Sequence, residues 1–388
     1  MEKIRIGDAC DILNGYAFKS DRYVDDGIRI IRIANVQKGY VEDNAPVFYP
    51  INSGGLNKYM LEEGDLLMSL TGNVGRVAFL QKEMLPAALN QRVACLRLKT
   101  DRITRGFLFH ILNSDFFEQQ CIQVSNGVAQ KNMSTEWLKD YEISLYPIEE
   151  QLMITEVLDR IRNIISLRND ELSKLDTLIK ARFVEMFGDP VTNPMGWKET
   201  TVGDECFYIK DGPHKSLLDI GKKNGGHPFI SVRNIVNGFI DFSTARYISD
   251  EDYEETIKKC HPEKGDMLYS KGGTTGIAKL IDIDEEFANW VHVAVLKFDK
   301  SKLNGIFFEN MLNGAYCYGQ SQRLTKGIAN RDLVLSAMAQ IKMYRPPMRL
   351  QEQFADFAKQ VDKSKIAVQK SLDEMQLLYN SLMQKYFG

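Results

Sequence analysis

Two stretches of this sequence combine glycines with groups able to hold a phosphate or a base edge. Thr71-Gly72-Asn73-Val74-Gly75-Arg76 and Lys271-Gly272-Gly273-Thr274-Thr275-Gly276 offer backbone N–H groups and a cation, Arg76 or Lys271, to phosphate. Asn73 or Thr274, with Thr71 and Thr275 beside them, could meet base edges. The same glycines equally suit tight hairpin connections, where they supply positive φ. A second pair of stretches, 127–132 and 327–332, joins a glycine to an amide (Gln130, Asn330) and then a cation (Lys131, Arg331). Lys131 and Arg331 could neutralise phosphate, while Asn132 and Asp332 suit a capping turn before a helix. Arg32, Asn35, Arg233 and Asn234 close similar strand-like runs. Arg and Asn make bidentate contacts to guanine and adenine, although at strand ends they are also simply solvated.

No catalytic constellation accompanies these groups. A phosphate-binding loop needs Gly-x-x-x-x-Gly-Lys-[Ser/Thr], and residues 272–279 lack that spacing. Asn193-Pro194-Met195-Gly196 fails the Asn/Asp-Pro-Pro-aromatic pattern of amino-methyltransferases at its third and fourth positions. His110, His214, His227, His261 and His292 form no metal-spaced pair, and Cys260-His261 stands alone. The six cysteines contain no Cys-x-x-Cys, which argues for reduced, mostly core thiols and against a zinc site or a disulfide framework. The expectation is a chain without metal or cofactor of its own, and not an enzyme.

The elements that must carry these groups occur twice. The stretches 149–188 and 350–388 both read as long helices ending in Phe-Gly, which gives a period of about 200 residues in a chain of 388. Between them the order of segments repeats: 31–40 answers 230–239, 64–75 answers 265–276, 90–96 answers 289–296, 125–132 answers 325–332, and 147–151 answers 347–353. The intervening 41–60 and 240–261 differ freely, as expected of two related modules that recognise different things. Short β-branched runs bounded by glycine and asparagine predict strand-rich modules, with one helix over about 107–117 and another starting near Ser134 or Thr135. Composition, 44% hydrophobic and 26% charged, is that of a globular protein, with no apolar run of membrane-spanning length. The first residues carry no export signal, so a cytoplasmic location is expected. A formal charge of -3 is low for a chain that binds nucleic acid unaided.

Both long helices space their apolar positions alternately by three and four. In the first these are Leu158, Ile161, Ile165, Leu172, Leu175 and Ile179, with Arg168, Arg182 and Met186 in the same series. In the second they are Val361, Val368, Leu372, Met375, Tyr379 and Leu382, with Lys365 and Tyr386. That 3.5-residue repeat is the mark of a coiled coil, roughly 55 to 60 Å long at 1.5 Å per residue. Gly188-Asp189-Pro190 stops the first helix, so the second helix is expected to return antiparallel, with Arg182 opposite Asp356.

Two glycine-and-strand modules, each followed by a Pro-x-x-Glu-Gln type helix start (Pro147-Ile148-Glu149-Glu150-Gln151; Pro347 with Glu352-Gln353) and a helix closing in Phe-Gly, resemble the specificity subunit of type I restriction-modification enzymes. The resemblance covers the whole chain and implies an α+β fold. Two mixed, strand-rich target recognition domains, 1–146 and 191–345, would be joined by antiparallel coiled-coil helices, 147–190 and 346–388, with pseudo-two-fold symmetry. It further implies double-stranded DNA with a bipartite site as ligand, one half read by each domain. Two methyltransferase subunits, and through them restriction subunits, would dock on the helices that set the spacing. S-adenosylmethionine, ATP and Mg would belong to those partners. The alternative is a repeat scaffold that binds protein or glycan without reading DNA.

Overall fold

The computed structural model describes residues 2–125, 132–328 and 330–388. The chain folds as two compact units, Met1–Asn169 with Lys370–Gly388, and Asp170–Gln369.

In the first unit a four-stranded antiparallel sheet runs in the order Cys10–Asn14, Val93–Leu98, Leu66–Ser69, Val77–Phe79. Its two central strands are apolar on both faces because both faces are covered. Leu66, Met68, Ala94 and Leu96 face a core built with Phe107, Leu112 and Phe117. Their alternates Leu67, Val93 and Cys95 face Ile31 and Leu89, which belong to a second sheet ordered Phe48–Tyr49, Ile28–Ile31, Ala87–Leu89. The period of two thus divides one strand between two cores. Glu2–Arg5 pairs antiparallel with Glu142–Leu145 and brings the chain to the first long helix.

The helix expected over 107–117 is instead two, Arg105–Leu112 and Asp115–Ser125. Ser114 breaks it: its hydroxyl donates to the Ile111 carbonyl at 2.7 Å and accepts the Phe117 N–H at 3.1 Å, so it caps a new helix. The helix at Thr135–Asp140 starts as expected, with the Ser134 side chain accepting from Glu136.

The second unit repeats the plan. Its sheets run Cys206–Asp211, Val293–Phe298, Met267–Ser270, Ala278–Leu280 and Arg246–Ile248, His227–Ile230, Ala288–Asn289. Met267, Tyr269, Ala294 and Leu296 pack towards Phe307 and Phe308, while Leu268, Val293 and Val295 pack towards Ile230. After the edge strand Arg246–Ile248 the variable stretch holds a helix, Asp250–Lys259, whereas after the matching Phe48–Tyr49 the first unit has a 3-10 turn at Asn57–Tyr59.

Each long helix, Ile148–Phe187 and Met348–Phe387, has 40 residues. Gly188 at φ 76° closes the first, donating to the Val184 carbonyl at 2.8 Å, and the Trp197 indole caps the Phe187 carbonyl at 2.8 Å. Leu158, Ile161, Ile179, Val361 and Val368 are buried, and Ile165, Leu172, Leu175, Leu372, Met375, Tyr379 and Leu382 are half-buried. Within the second unit Asp176 meets Lys365 at 2.7 Å, and Phe183 and Phe187 both meet the Phe354 ring edge-on, so these helical segments pass in opposite directions. Arg182 does not meet Asp356. It pairs with Glu185 at 2.8 Å and lies over the Phe357 ring, while Asp356 pairs with Lys359 on its own helix. An aromatic ring occupies the facing position, and the acid lies one residue off it. Among the described residues no helix is long and apolar enough to cross a membrane.

Candidate nucleic-acid interface

The strand ends that carry Arg32, Asn35, Arg233 and Asn234 fold into the same turn in each unit. Asn35 is 4% exposed: its carboxamide oxygen accepts the Arg32 N–H at 2.9 Å, and its nitrogen donates to the Glu42 carbonyl at 2.8 Å. Asn234, 1% exposed, accepts from the Ser231 N–H at 2.8 Å and donates to the Asp241 carbonyl at 2.8 Å. These amides satisfy buried backbone groups, so neither is free to read a base, contrary to the expectation from sequence. The arginines behave differently. Arg32 donates to the Ala45 carbonyl at 2.8 Å and Arg233 to the Thr244 carbonyl at 2.7 Å. Arg32 is half-buried and Arg233 is exposed.

The glycine-rich turns are hairpin connections at their base and open at their tip. Gly75 and Gly276 donate to the carbonyls of Ser69 and Ser270, each at 2.9 Å, and the Ser270 hydroxyl accepts the Ile277 N–H at 2.8 Å. Both glycines have positive φ, and a Cβ there would lie 2.7 Å from Cys121 Sγ or 2.1 Å from Ser321 Oγ. Glycine is therefore required for the hairpin to lie against its helix. At the tips, Asn73 and Thr274 are exposed. Thr275 is not: it is 1% exposed, with its hydroxyl 2.9 Å from that of Thr325.

Each turn meets the second predicted loop of its own unit. Thr71 bridges to Asn132, its hydroxyl donating to the side-chain oxygen at 3.3 Å, and Gly272 bridges to Asp332. Gln130 and Lys131 lie outside the described residues. The cations expected to face phosphate are instead held internally in two cases. Lys271 is 5% exposed between Asp332 at 3.0 Å and Asp211 at 3.4 Å. Arg76 donates to Gln37 at 2.7 Å, with Glu118 at 3.8 Å. Their charge is neutralised where the hairpin base meets the rest of its unit. Arg331 donates to Gln322 and stays half-buried, and Asn330 is exposed.

In the second unit the groups that remain outward converge. Arg233, Asn330, Arg331, Gly273, Trp290 and His292 line a cavity of about 580 Å³, and an adjoining one of about 200 Å³ shares Arg233 and Trp290 and adds Arg246. The Arg246 guanidinium lies 5.8 Å over the Trp290 ring, and Trp290 meets His292 edge-on at 5.0 Å. The Asp219 carboxyl is held below the usual range by the backbone N–H groups of Tyr247 and Gly221, helped by Arg246 and Arg233 beside it. Sequence reading missed Arg246, Trp290 and His292. The signal that could have found Trp290 and His292 is an aromatic pair alternating ahead of the strand Val293–Phe298, where the first unit has Asn90 and Arg92.

Comparison with known proteins agrees with this duplicated plan. A specificity subunit of the type I restriction enzyme MjaVIII from Methanocaldococcus jannaschii is 29% identical over 182 residues, 45% of this chain and 42% of that protein. The EcoBI specificity subunit from Escherichia coli is 24% identical over 307 residues, 71% of this chain and 60% of that protein. The matched stretches thus span less than two thirds of either relative. The crystal structure of the type I restriction-modification S subunit from M. genitalium superposes with a TM-score of 0.62 at 15% identity, covering 100% of this chain and 96% of that one. A chain from a structure concerning complex assembly and conformational transition of the type I R-M system gives 0.55 at 17% identity, covering 100% and 97%. The family model of the type I restriction modification DNA specificity domain matches twice, over residues 1–177 and 194–375, one match for each repeat, and the chain belongs to that family.

Proposed function

We propose that this chain is the non-catalytic DNA sequence-recognition subunit of a type I restriction-modification system, acting in the cytoplasm. Each globular domain, 1–146 and 191–345, reads one half of a bipartite site. The helices 147–190 and 346–388 pair as an antiparallel coiled coil that sets the spacing and docks two methyltransferase subunits, and through them restriction subunits. S-adenosylmethionine, ATP and Mg act in those partners.

The observation that carries this reading is the repeated pair of turns, built on the same buried asparagine and glycines yet presenting different outward side chains in the two units. A shared frame with unlike contact groups suits recognition of two unlike half-sites. Docking is supported by Met153, Val157, Ile164 and Leu167, exposed at 58%, 45%, 38% and 58% along the first long helix. The net charge of -3 fits a reader whose partners supply part of the phosphate footprint, so the isolated chain should bind DNA weakly in physiological salt.

Methylation sequencing of a host that expresses the chain with its methyltransferase subunit tests the proposal. A motif of two short blocks around unread bases is the expected result. An active methyltransferase that leaves no such motif would favour a scaffold that binds protein or glycan.

A further inference from the structure

The two units share a frame, and the second gathers Arg233, Arg246 and Arg331 around Trp290. Arg233 is exposed and anchored through one nitrogen alone, its Nη2 on the Thr244 carbonyl at 2.7 Å. That bond limits the swing of the guanidinium and leaves Nη1 and the second Nη2 hydrogen for a ligand, an end-on pair of donors. Arg331 and Arg246 stand on the same two adjoining cavities, and Asp219 is the acid facing Arg233 and Arg246. Trp290 forms the shared wall, and its indole is buried without a hydrogen-bond partner. In the first unit the corresponding turn has Arg32 half-buried on Ala45, Ala34 in the place of Arg233, and Asn90 in the place of Trp290.

A planar guanidinium held by one bond, with two parallel donors left over, matches the O6 and N7 acceptors of guanine in the major groove. A point cation or a freely moving side chain gives no such match. Arg331, bound to Gln322, and Arg246, over the Trp290 ring, are half-buried, so Arg233 is the exposed fork of the three and the other two suit phosphate or groove-wall contact.

We infer that the second unit reads a guanine through Arg233, with Arg331 on the neighbouring phosphate and Trp290 as the rigid wall that fixes the approach. The inference rests on the DNA-recognition reading and goes beyond it by assigning one base and one residue. The half-site read by the second unit contains a guanine, and specificity at that position follows the fork of Arg233 rather than its charge.

The test uses the full chain co-expressed with its methyltransferase subunit, in wild-type form and as Arg233→Lys, Arg233→Ala and Arg331→Ala. Methylation sequencing reads the motif, salt-dependent DNA binding of the purified complexes reads phosphate contacts, and thermal unfolding confirms that each variant is folded. Arg233→Lys should keep the charge yet lose about 5- to 150-fold of the preference for guanine at one position of one block, leaving the other block intact. Arg331→Ala should weaken binding to all sequences alike and reduce the salt slope by about one. Folded Arg233→Lys and Arg233→Ala complexes that methylate the unaltered motif with unaltered selectivity would overturn the assignment while leaving DNA recognition standing. A wild-type complex with active methyltransferase and no bipartite motif would remove the broader reading, and this one with it.

Discussion

The side-chain oxygen of Gln151 accepts the backbone N–H of Thr104 at 2.8 Å, and its nitrogen donates to the carbonyls of Arg102 and Tyr146 at 2.9 and 2.8 Å. One buried amide near the start of the first long helix thereby pins it to its globular unit. Gln351 does the same in the second unit, accepting from Asn304 at 2.9 Å and donating to Lys302 and Pro346. Matching Glu-Gln to Glu-Gln in the sequence would place Gln353 in this role; the hydrogen bonds place Gln351 there. Gln151→Ala leaves three backbone groups without partners. It should cost about 2–4 kcal/mol, lowering the midpoint of thermal unfolding by about 5 to 15 °C. A midpoint within 2 °C or so of wild type in scanning calorimetry would show that the amide does not pin the helix.

Asn234 presents the opposite case to Arg233. Both stand in one turn, but Asn234 is 1% exposed and bonded to backbone on both sides of that turn. Asn234→Ala should destabilise the second unit by about 1–3 kcal/mol and leave the motif of the surviving folded protein unchanged. A changed motif with unchanged stability would make Asn234 a reader after all.

This contrast explains what could be read in the chain beforehand. The repeat, the order of strands and the long helices were legible because each is a pattern of many residues, and no single side chain decides it. The site was only half legible, since an asparagine, lysine or arginine at a strand end serves a base or its own backbone equally well. The choice depends on partners that spacing does not reveal: Asp43 and Glu42 for Asn35, Asp332 for Lys271 across 61 positions, Glu118 for Arg76. Ser114 broke an expected helix for the same reason, through a cap that apolar periodicity ignores.

Lys271 offers a test of the internal role of such cations. With 5% of its surface exposed between Asp211 and Asp332, it neutralises two carboxylates at the hairpin base. Removing one member of a buried ion pair leaves uncompensated charge, so Lys271→Ala should cost about 3 kcal/mol in urea unfolding. Thr274→Ala at the exposed tip should cost less than about 0.5 kcal/mol. Equal stabilities for the two variants would contradict the placement of Lys271 in the fold.

All six cysteines are buried. Burial pushes the thiols of Cys10 and Cys206 up to about 12 and that of Cys260 up to about 11. The thiolate is the reactive form, and at pH 8 only on the order of one in a thousand Cys260 side chains would carry it. The folded protein should therefore react with a thiol reagent at pH 8 only on the timescale of unfolding, and urea should release six equivalents. Rapid labelling of one cysteine in the folded state would locate an opening of the core at that residue.

The first long helix carries apolar groups that its own unit leaves uncovered. Leu158 is fully buried, whereas Met153, Val157, Ile164 and Leu167 are exposed at spacings of four, seven and three residues. Those spacings put the four on one face of the helix, a stripe that a partner helix could cover. Met153→Glu with Leu167→Glu should leave the fold intact, since both side chains already face water, and should abolish co-purification of the methyltransferase subunit. Leu158→Glu should instead unfold the first unit, because it places a carboxylate in an apolar core. If the double variant still binds its partner as tightly as wild type by calorimetric titration, the stripe is not the docking face. Ile366 and Leu377, exposed on the second long helix, are then the next apolar groups to replace.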